Sequence, residues 1–174
     1  IRKVPMSNNQ SKEIRSTATS EGHIEISIAT VDMPTPKESE VLIKVGASPI
    51  NPSDLGLLIS FAADLESLTV AGSGTDTVTS MKIHPALMGA MKARLDESMQ
   101  VGNEGGGVVI DAGENAKHLI GKTIGVAGGA MYSQYRCVPA INCLVMEDGT
   151  SSAEAASSFV NPLTSLAFVE TMRM

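Results

Sequence analysis

The chain has 174 residues, 43% of them hydrophobic and 18% charged, with a formal net charge of -6 and a pI near 5.0. That length fits one ordinary domain and that composition a soluble globular protein. The acidic balance gives no general attraction to nucleic acid or anionic membrane, and no run of about 18 apolar residues could span a bilayer, so neither partner is expected.

The start, Ile1-Arg2-Lys3-Val4-Pro5, lacks the apolar stretch of a signal peptide, and a cytoplasmic location is expected. Residues 1–20 are rich in Ser, Asn, Thr and mixed charge without periodicity, as in a flexible arm or an edge strand. From Gly22 the pattern changes: Ile24, Ile26 and Ile28 alternate with Glu25 and Ser27, as a half-buried strand requires. Met33-Pro34-Thr35-Pro36 breaks the chain, and Val41, Ile43 and Val45 then predict a second strand. Next, Ser48-Pro49-Ile50-Asn51-Pro52-Ser53-Asp54 carries two prolines that hold turn geometry, and Pro52 confines Asn51 to extended or turn backbone. Asn51 is thereby held with its amide exposed, although Asn51 and Asp54 also suit simple capping of the turn at Leu55 to Leu58.

Val70-Ala71-Gly72-Ser73-Gly74-Thr75-Asp76-Thr77 has the small polar composition of a mobile loop. Pro85 then opens a helix-like stretch with Leu87, Met88, Met91 and Leu95 at helical spacing, which reads as a lid or an interface helix. Met81, Met88, Met91 and Met99 suit either an adaptable substrate-facing surface or an ordinary core stripe. Further on, Gly105-Gly106-Gly107 runs straight into Val108-Val109-Ile110, a tight turn or close approach leading into a buried strand. Neither the Gly-x-Gly-x-x-Gly spacing of a dinucleotide fold nor the Gly-Lys-Ser/Thr of a P-loop is present, so crowded packing is the reading here rather than a phosphate cradle. Glu104, at the mouth of that turn, is placed to accept backbone hydrogen bonds, a structural role rather than that of a general acid.

Leu119 to Val126 reads as a turn and strand, and Met131 to Val138 and Cys143 to Met146 as two more, a spacing that favours a barrel or sandwich. Tyr132 is a candidate proton donor, although a half-buried strand tyrosine is the commoner case. Cys137 and Cys143 are too few and too close for a disulfide framework or a four-ligand zinc site, and free thiols are expected. Ser151 and Glu154 have capping-box spacing for a helix through about Phe159. Asn161 as N-cap and Pro162 at the first helical position predict a second helix, whose free amides suit a carboxamide oxygen. The missing initiator methionine and the stop at Met172-Arg173-Met174 inside an apolar segment predict a piece of a longer protein.

Gly102-Asn103-Glu104-Gly105-Gly106-Gly107-Val108-Val109 resembles the Gly-His-Glu-Gly-x-Gly-x-Val signature of the medium-chain dehydrogenase/reductase superfamily. Asn103 stands where zinc alcohol dehydrogenases of that superfamily carry a ligand histidine. Two further stretches agree in order: Ser48 to Asp54 resembles the quinone oxidoreductase branch, and Phe159-Val160-Asn161-Pro162-Leu163-Thr164 the nicotinamide-side segment of quinone and enoyl-thioester reductases. Each motif is weak singly, and together they cover most of residues 22–174 apart from 60–99, which then reads as an insertion.

The resemblance implies a mainly β, GroES-like partly open barrel over residues 21–149, with the insertion and the last helices packed outside. Residues 150–174 would be the helices connecting to a Rossmann domain that is absent from this chain. It implies a catalytic-domain fragment, inactive alone, of a zinc-independent NAD(P)H-dependent oxidoreductase that reduces a quinone, enone or similar electrophilic carbonyl. The cofactor would be NADP or NAD, held mainly by the missing domain, with Asn51, Asn161 and Thr164 lining the nicotinamide pocket. No zinc is implied, since Asn103 replaces the ligand and residues 48–54 hold no cysteine. The expected partners are a small-molecule substrate and a second copy in a homodimer. The competing reading is a non-enzymatic GroES-like interaction module, since the cofactor fingerprint is missing.

Overall fold

The computed structural model describes residues 9–174, and within them the chain is mainly β, as expected. In chain order the strands are β1 (Gln10–Ala18), β2 (His23–Asp32), β3 (Glu40–Ala47), β4 (Ala63–Ala71) and β5 (Val78–Ile83). They continue as β6 (Ser98–Gln100), β7 (Glu104–Ala112), β8 (Thr123–Ala127), β9 (Tyr135–Pro139) and β10 (Cys143–Val145). All pair antiparallel, in two five-stranded sheets of order β4-β5-β2-β1-β6 and β10-β8-β7-β3-β9. The helices are α1 (Pro52–Leu58), α2 (Met88–Met91), α3 (Ser152–Ala156) and α4 (Val160–Met172).

Alternation puts one face of each sheet inward, giving one cluster around Val41, Ile43, Val109, Ile124 and Val126 and another around Ile24, Met81, Ile83 and Met91. Each such buried side chain contributes roughly 1.5–3 kcal/mol by leaving water. Residues 132–134 stitch the sheets together. The Ile14 N–H of β1 donates to Tyr132 O at 2.8 Å, Gln134 N–H to Lys12 O at 2.9 Å, and the Val45 N–H of β3 to Gln134 O at 3.0 Å. The expected strand at Met131 to Val138 therefore starts late, at Tyr135, because the backbone of residues 131–134 is bonded to Gly102, Val101, Lys12 and Ile14.

Three other expectations are corrected. Residues 1–8 lie outside the described residues, but Gln10–Ala18 is no arm or edge: β1 sits between β2 and β6, with Ser11, Glu13, Ser16 and Ala18 buried. The stretch 60–99 is no insertion packed outside, since it supplies β4, β5 and β6 to the first sheet and Met81, Ile83 and Met91 to its core. Its predicted helix breaks into short turns around the four-residue α2, and the methionine stripe is core at Met81 and Met91.

The third correction concerns α3, which lies on the second sheet with Ala155 and Ala156 buried, rather than outside. Its capping box forms as read: the Ser151 hydroxyl and N–H meet the Glu154 carboxylate at 2.7 and 2.8 Å and hold that carboxyl below its usual range. The helix ends at Ala156, short of Phe159. Glycine makes this docking possible. A Cβ on Gly106 would stand 2.4 Å from Ser152 O and 2.6 Å from Ala156 N, and one on Gly125 would stand 2.6 Å from Ala155 O. Gly106 and Gly125 are thus a seat for a helix, while Gly105 and Gly107 are crowded by Met131 and by Lys44 O, the close packing expected of the run.

Gly106→Ala is expected to cost about 1–3 kcal/mol in denaturant unfolding, because the clash is with backbone that cannot rotate away. Gly89→Ala, in open space on α2, should be neutral or slightly stabilising. Equal stabilities for the two variants would contradict the seat.

Candidate functional site

The loop at 48–54 behaves as its prolines dictate, with Asn51 extended at φ -89° and ψ 158° and α1 starting at Pro52. The Asn51 side chain does not cap that helix. Asp54 does the capping: its Oδ2 accepts the Asn51 N–H at 2.8 Å, and its own N–H donates to Asn51 O at 2.9 Å. The Asn51 carboxamide is therefore free to reach elsewhere. Its Nδ2 donates to Glu104 Oε1 at 2.9 Å, and its Oδ1 accepts from Asn161 Nδ2 at 3.2 Å.

Glu104 opens β7 and is only 1% exposed. Its second oxygen accepts the N–H groups of Phe159 at 3.1 Å and Val160 at 3.0 Å. A buried carboxylate is tolerated where donors replace water, and here three do so, two of them at the positive end of a helix. This corrects the predicted helix start: α4 begins at Val160 with Phe159 as N-cap, not at Asn161 and Pro162. A carboxylate from β7 supplies the acceptor that a local side chain would otherwise provide.

The structure brings Asn51 and Asn161 into one hydrogen bond although 110 residues separate them. Thr164 stands one turn further along α4, exposed, and its hydroxyl donates to Val160 O at 2.7 Å rather than to either asparagine. Tyr132 lies on the other side of the loop, where its hydroxyl donates to Pro49 O at 3.0 Å. Burial first, then the negative charge of Asp54, pushes its phenol up to about 12. A proton so held makes Tyr132 a clamp on the loop. Gly102, at φ 95°, lets it close, since a Cβ there would stand 2.6 Å from the ring.

Asn103 turns its side chain to Ser53 Oγ at 3.0 Å and gives its N–H to Asp54 Oδ1 at 2.7 Å. Among the described residues no group of three or more His, Cys, Asp or Glu side chains could hold a metal. Cys137 and Cys143 are free and half-buried, and burial raises both thiols to about 11. Arg94 is a site-supporting residue that sequence gave no signal for. Its guanidinium, held below its ordinary pKa by burial, donates to Leu57 O at 3.2 Å and Ser16 Oγ at 3.1 Å, tying the C-terminal end of α1 to β1.

No protein-family model matches the chain, and no curated protein matches it. Solved structures do. A protein from Mesorhizobium loti described as an NADPH:quinone reductase aligns at TM-score 0.63 and 20% identity, over 99% of this chain and 46% of its own. One so described from Bacillus thuringiensis aligns at 0.64 and 21%, over 96% and 43%. The Escherichia coli quinone oxidoreductase complexed with NADPH aligns at 0.58 and 16%, over 91% and 40%. The chain thus spans less than half the length of the structures it matches, and what the likeness shows is the fold: the GroES-like, partly open barrel found in quinone oxidoreductases. No helix among the described residues is long and apolar enough to cross a membrane.

Glu104→Gln presents N–H where three N–H donors converge, and is expected to cost roughly 1.5–3 kcal/mol in stability. The Phe159 and Val160 amides should exchange with solvent faster as a result, and an unchanged exchange pattern would refute the helix anchor. Tyr132 gives a second test. Its folded pKa lies above the ordinary 10.0, so its contribution to stability is complete below pH 10 and is lost as pH rises toward about 12. Absorbance titration should show a late phenolate that Tyr132→Phe removes, and a titration of Tyr132 centred at the ordinary value of 10.0 would contradict it.

Proposed function

We propose that this chain forms one wall of the cofactor cleft of a zinc-independent NAD(P)H oxidoreductase, of the quinone oxidoreductase branch of the medium-chain dehydrogenase/reductase superfamily. Its reaction is hydride transfer to a quinone, enone or similar electrophilic carbonyl. The observation that carries the reading is the chain Asn161–Asn51–Glu104, in which the three motif segments of the resemblance meet through hydrogen bonds. Sequence order alone does not bring such distant segments together.

The residues present fit a nicotinamide. Asn161 spends one N–H on Asn51 and, being exposed, keeps its Oδ1 and second N–H, the acceptor and donor that a carboxamide needs opposite it. The Thr164 oxygen, having donated its proton to Val160 O, keeps lone pairs as an acceptor. When bound, the reduced nicotinamide supplies the hydride, and this chain's share is orientation. Asn51 is fixed by Pro52 and Glu104, and Asn161 by a helix whose first amides are themselves held by Glu104, so neither reorganises when a ligand arrives. The NADPH in the E. coli structure supports NADP as the first cofactor to test.

Asn161→Ala and Asn51→Ala in the full-length protein should each weaken NADPH binding or turnover of a model quinone by about 1–3 kcal/mol, the cost of leaving a polar partner unpaired. Asn51→Ala also uncovers one oxygen of Glu104 and should lower stability more than Asn161→Ala, which leaves only the Asn51 Oδ1 without its donor. Unchanged NADPH affinity and turnover in both variants would sink the assignment.

A further inference from the structure

On the face of the 48–54 loop away from Asn161, a groove of about 540 Å3 opens between the two sheets. Its floor is apolar: Ile14 of β1, Ile28 of β2, Val45 of β3, Ile50 and Met131. Ile50 lines this groove while its neighbour Asn51 points to Glu104 and Asn161, so consecutive residues of one loop face two different places. That volume lies within the range of small-molecule sites, about 300–1,000 Å3, and an apolar floor with few polar groups is their usual make-up.

The polar groups at the groove are nearly all committed. Ser48 Oγ donates to Glu104 O, Ser133 Oγ to Ala130 O and the Tyr132 hydroxyl to Pro49 O. The Glu13 carboxylate is taken up by Arg15 Nε at 2.6 Å and Gln100 Nε2 at 2.7 Å. Two side-chain groups are left over among the described residues, the Lys12 ammonium, which forms no ion pair, and the Gln134 Nε2, which makes no hydrogen bond. Both are donors. They are neighbours, because Lys12 N–H donates to Gln134 Oε1 at 3.0 Å and Gln134 N–H to Lys12 O at 2.9 Å. A cationic and an amide-bearing residue, adjacent through their main chains and both lining an apolar floor, call for an apolar body ending in an anionic acceptor.

We infer that this groove binds a small monocarboxylate with an apolar body, its carboxylate held by Lys12 and Gln134 and its hydrocarbon on Ile14, Ile28 and Val45. The site is independent of the nicotinamide reading, since it shares no hydrogen-bonding side chain with Asn51 or Asn161. A suitable probe is 1-naphthoate, titrated into the full-length protein while the methyl resonances of Ile14, Ile28, Val45 and Met131 are followed by NMR. Saturable shifts of those methyls are expected, with 1-naphthylmethylammonium, of the same body and opposite charge, binding at least about tenfold more weakly. Lys12→Glu, at an exposed position, should weaken naphthoate about tenfold or more and leave NADPH affinity unchanged. Ile28→Glu, at a residue 38% exposed that tolerates a polar group, should abolish binding by placing a carboxylate on the floor. No saturable shift with naphthoate, equal binding of the ammonium probe, or indifference to Lys12→Glu would each overturn the inference. Loss of NADPH binding in Lys12→Glu would overturn the separateness of the two sites, whereas failure of the asparagine variants alone would leave this site standing.

Discussion

A charged carboxylate cannot be left dry. Moving one out of water costs several kcal/mol unless donors replace the lost hydration, and Glu104, 1% exposed, meets that demand with one side-chain amide and two backbone amides. Those donors come from the loop before α1 and from the start of α4, so satisfying one charge fixes the positions of both relative to β7. Two residues on, Gly106 carries no side chain, and α3 settles onto the bare strand there, just ahead of α4. The approach of the last helices and the burial of the carboxylate are therefore one arrangement, specified by a single short run of residues.

A second carboxylate divides the labour. Asp54 is also 1% exposed, and it accepts the N–H groups of Asn51 and Asn103. In taking over the capping of α1 it releases the Asn51 carboxamide for Glu104 and Asn161. Pro49 and Pro52 hold the backbone on either side, and Tyr132 and Arg94 grip the loop and the far end of α1 from opposite directions. Polar side chains that must present themselves without reorganising need this kind of support from beneath.

Much of this was legible in the chain. Alternation locates β2 and β3, the β-branched run after the glycines locates β7, the Ser151–Glu154 spacing gives the cap of α3, and the glycine run reads as crowding because no phosphate-loop spacing accompanies it. The misreadings share a cause: long-range partners. β1 carries Ser11, Glu13 and Ser16 inside, a pattern that looks like solvent-facing chain until Arg15, Gln100 and Leu58 O are seen to receive two of them. The start of α4 moved because its cap comes from a residue 55 positions away, which no local rule reports. Residues 60–99 read as an insertion with a loop at 70–77 because β4 is an exposed strand at the end of its sheet, and the small polar residues 72–77 form the connection from it to β5. The meeting of Asn51 with Asn161 follows from motif order, but the carboxylate that holds both does not: Glu104 is expected only to accept backbone hydrogen bonds, with no donor named.

The long helix α4 is held very unevenly. Its first two amides are gripped by Glu104, while every residue from Asn161 onward is exposed, including Leu163, Leu166, Phe168 and Val169. Thirteen residues at about 1.5 Å each make a rod of roughly 20 Å pinned at one end. Displacement of a rod held near one end grows with distance from the hold, so the Asn161 contact, one residue from the Glu104 grip, is the part of α4 that a shift of the helix moves least.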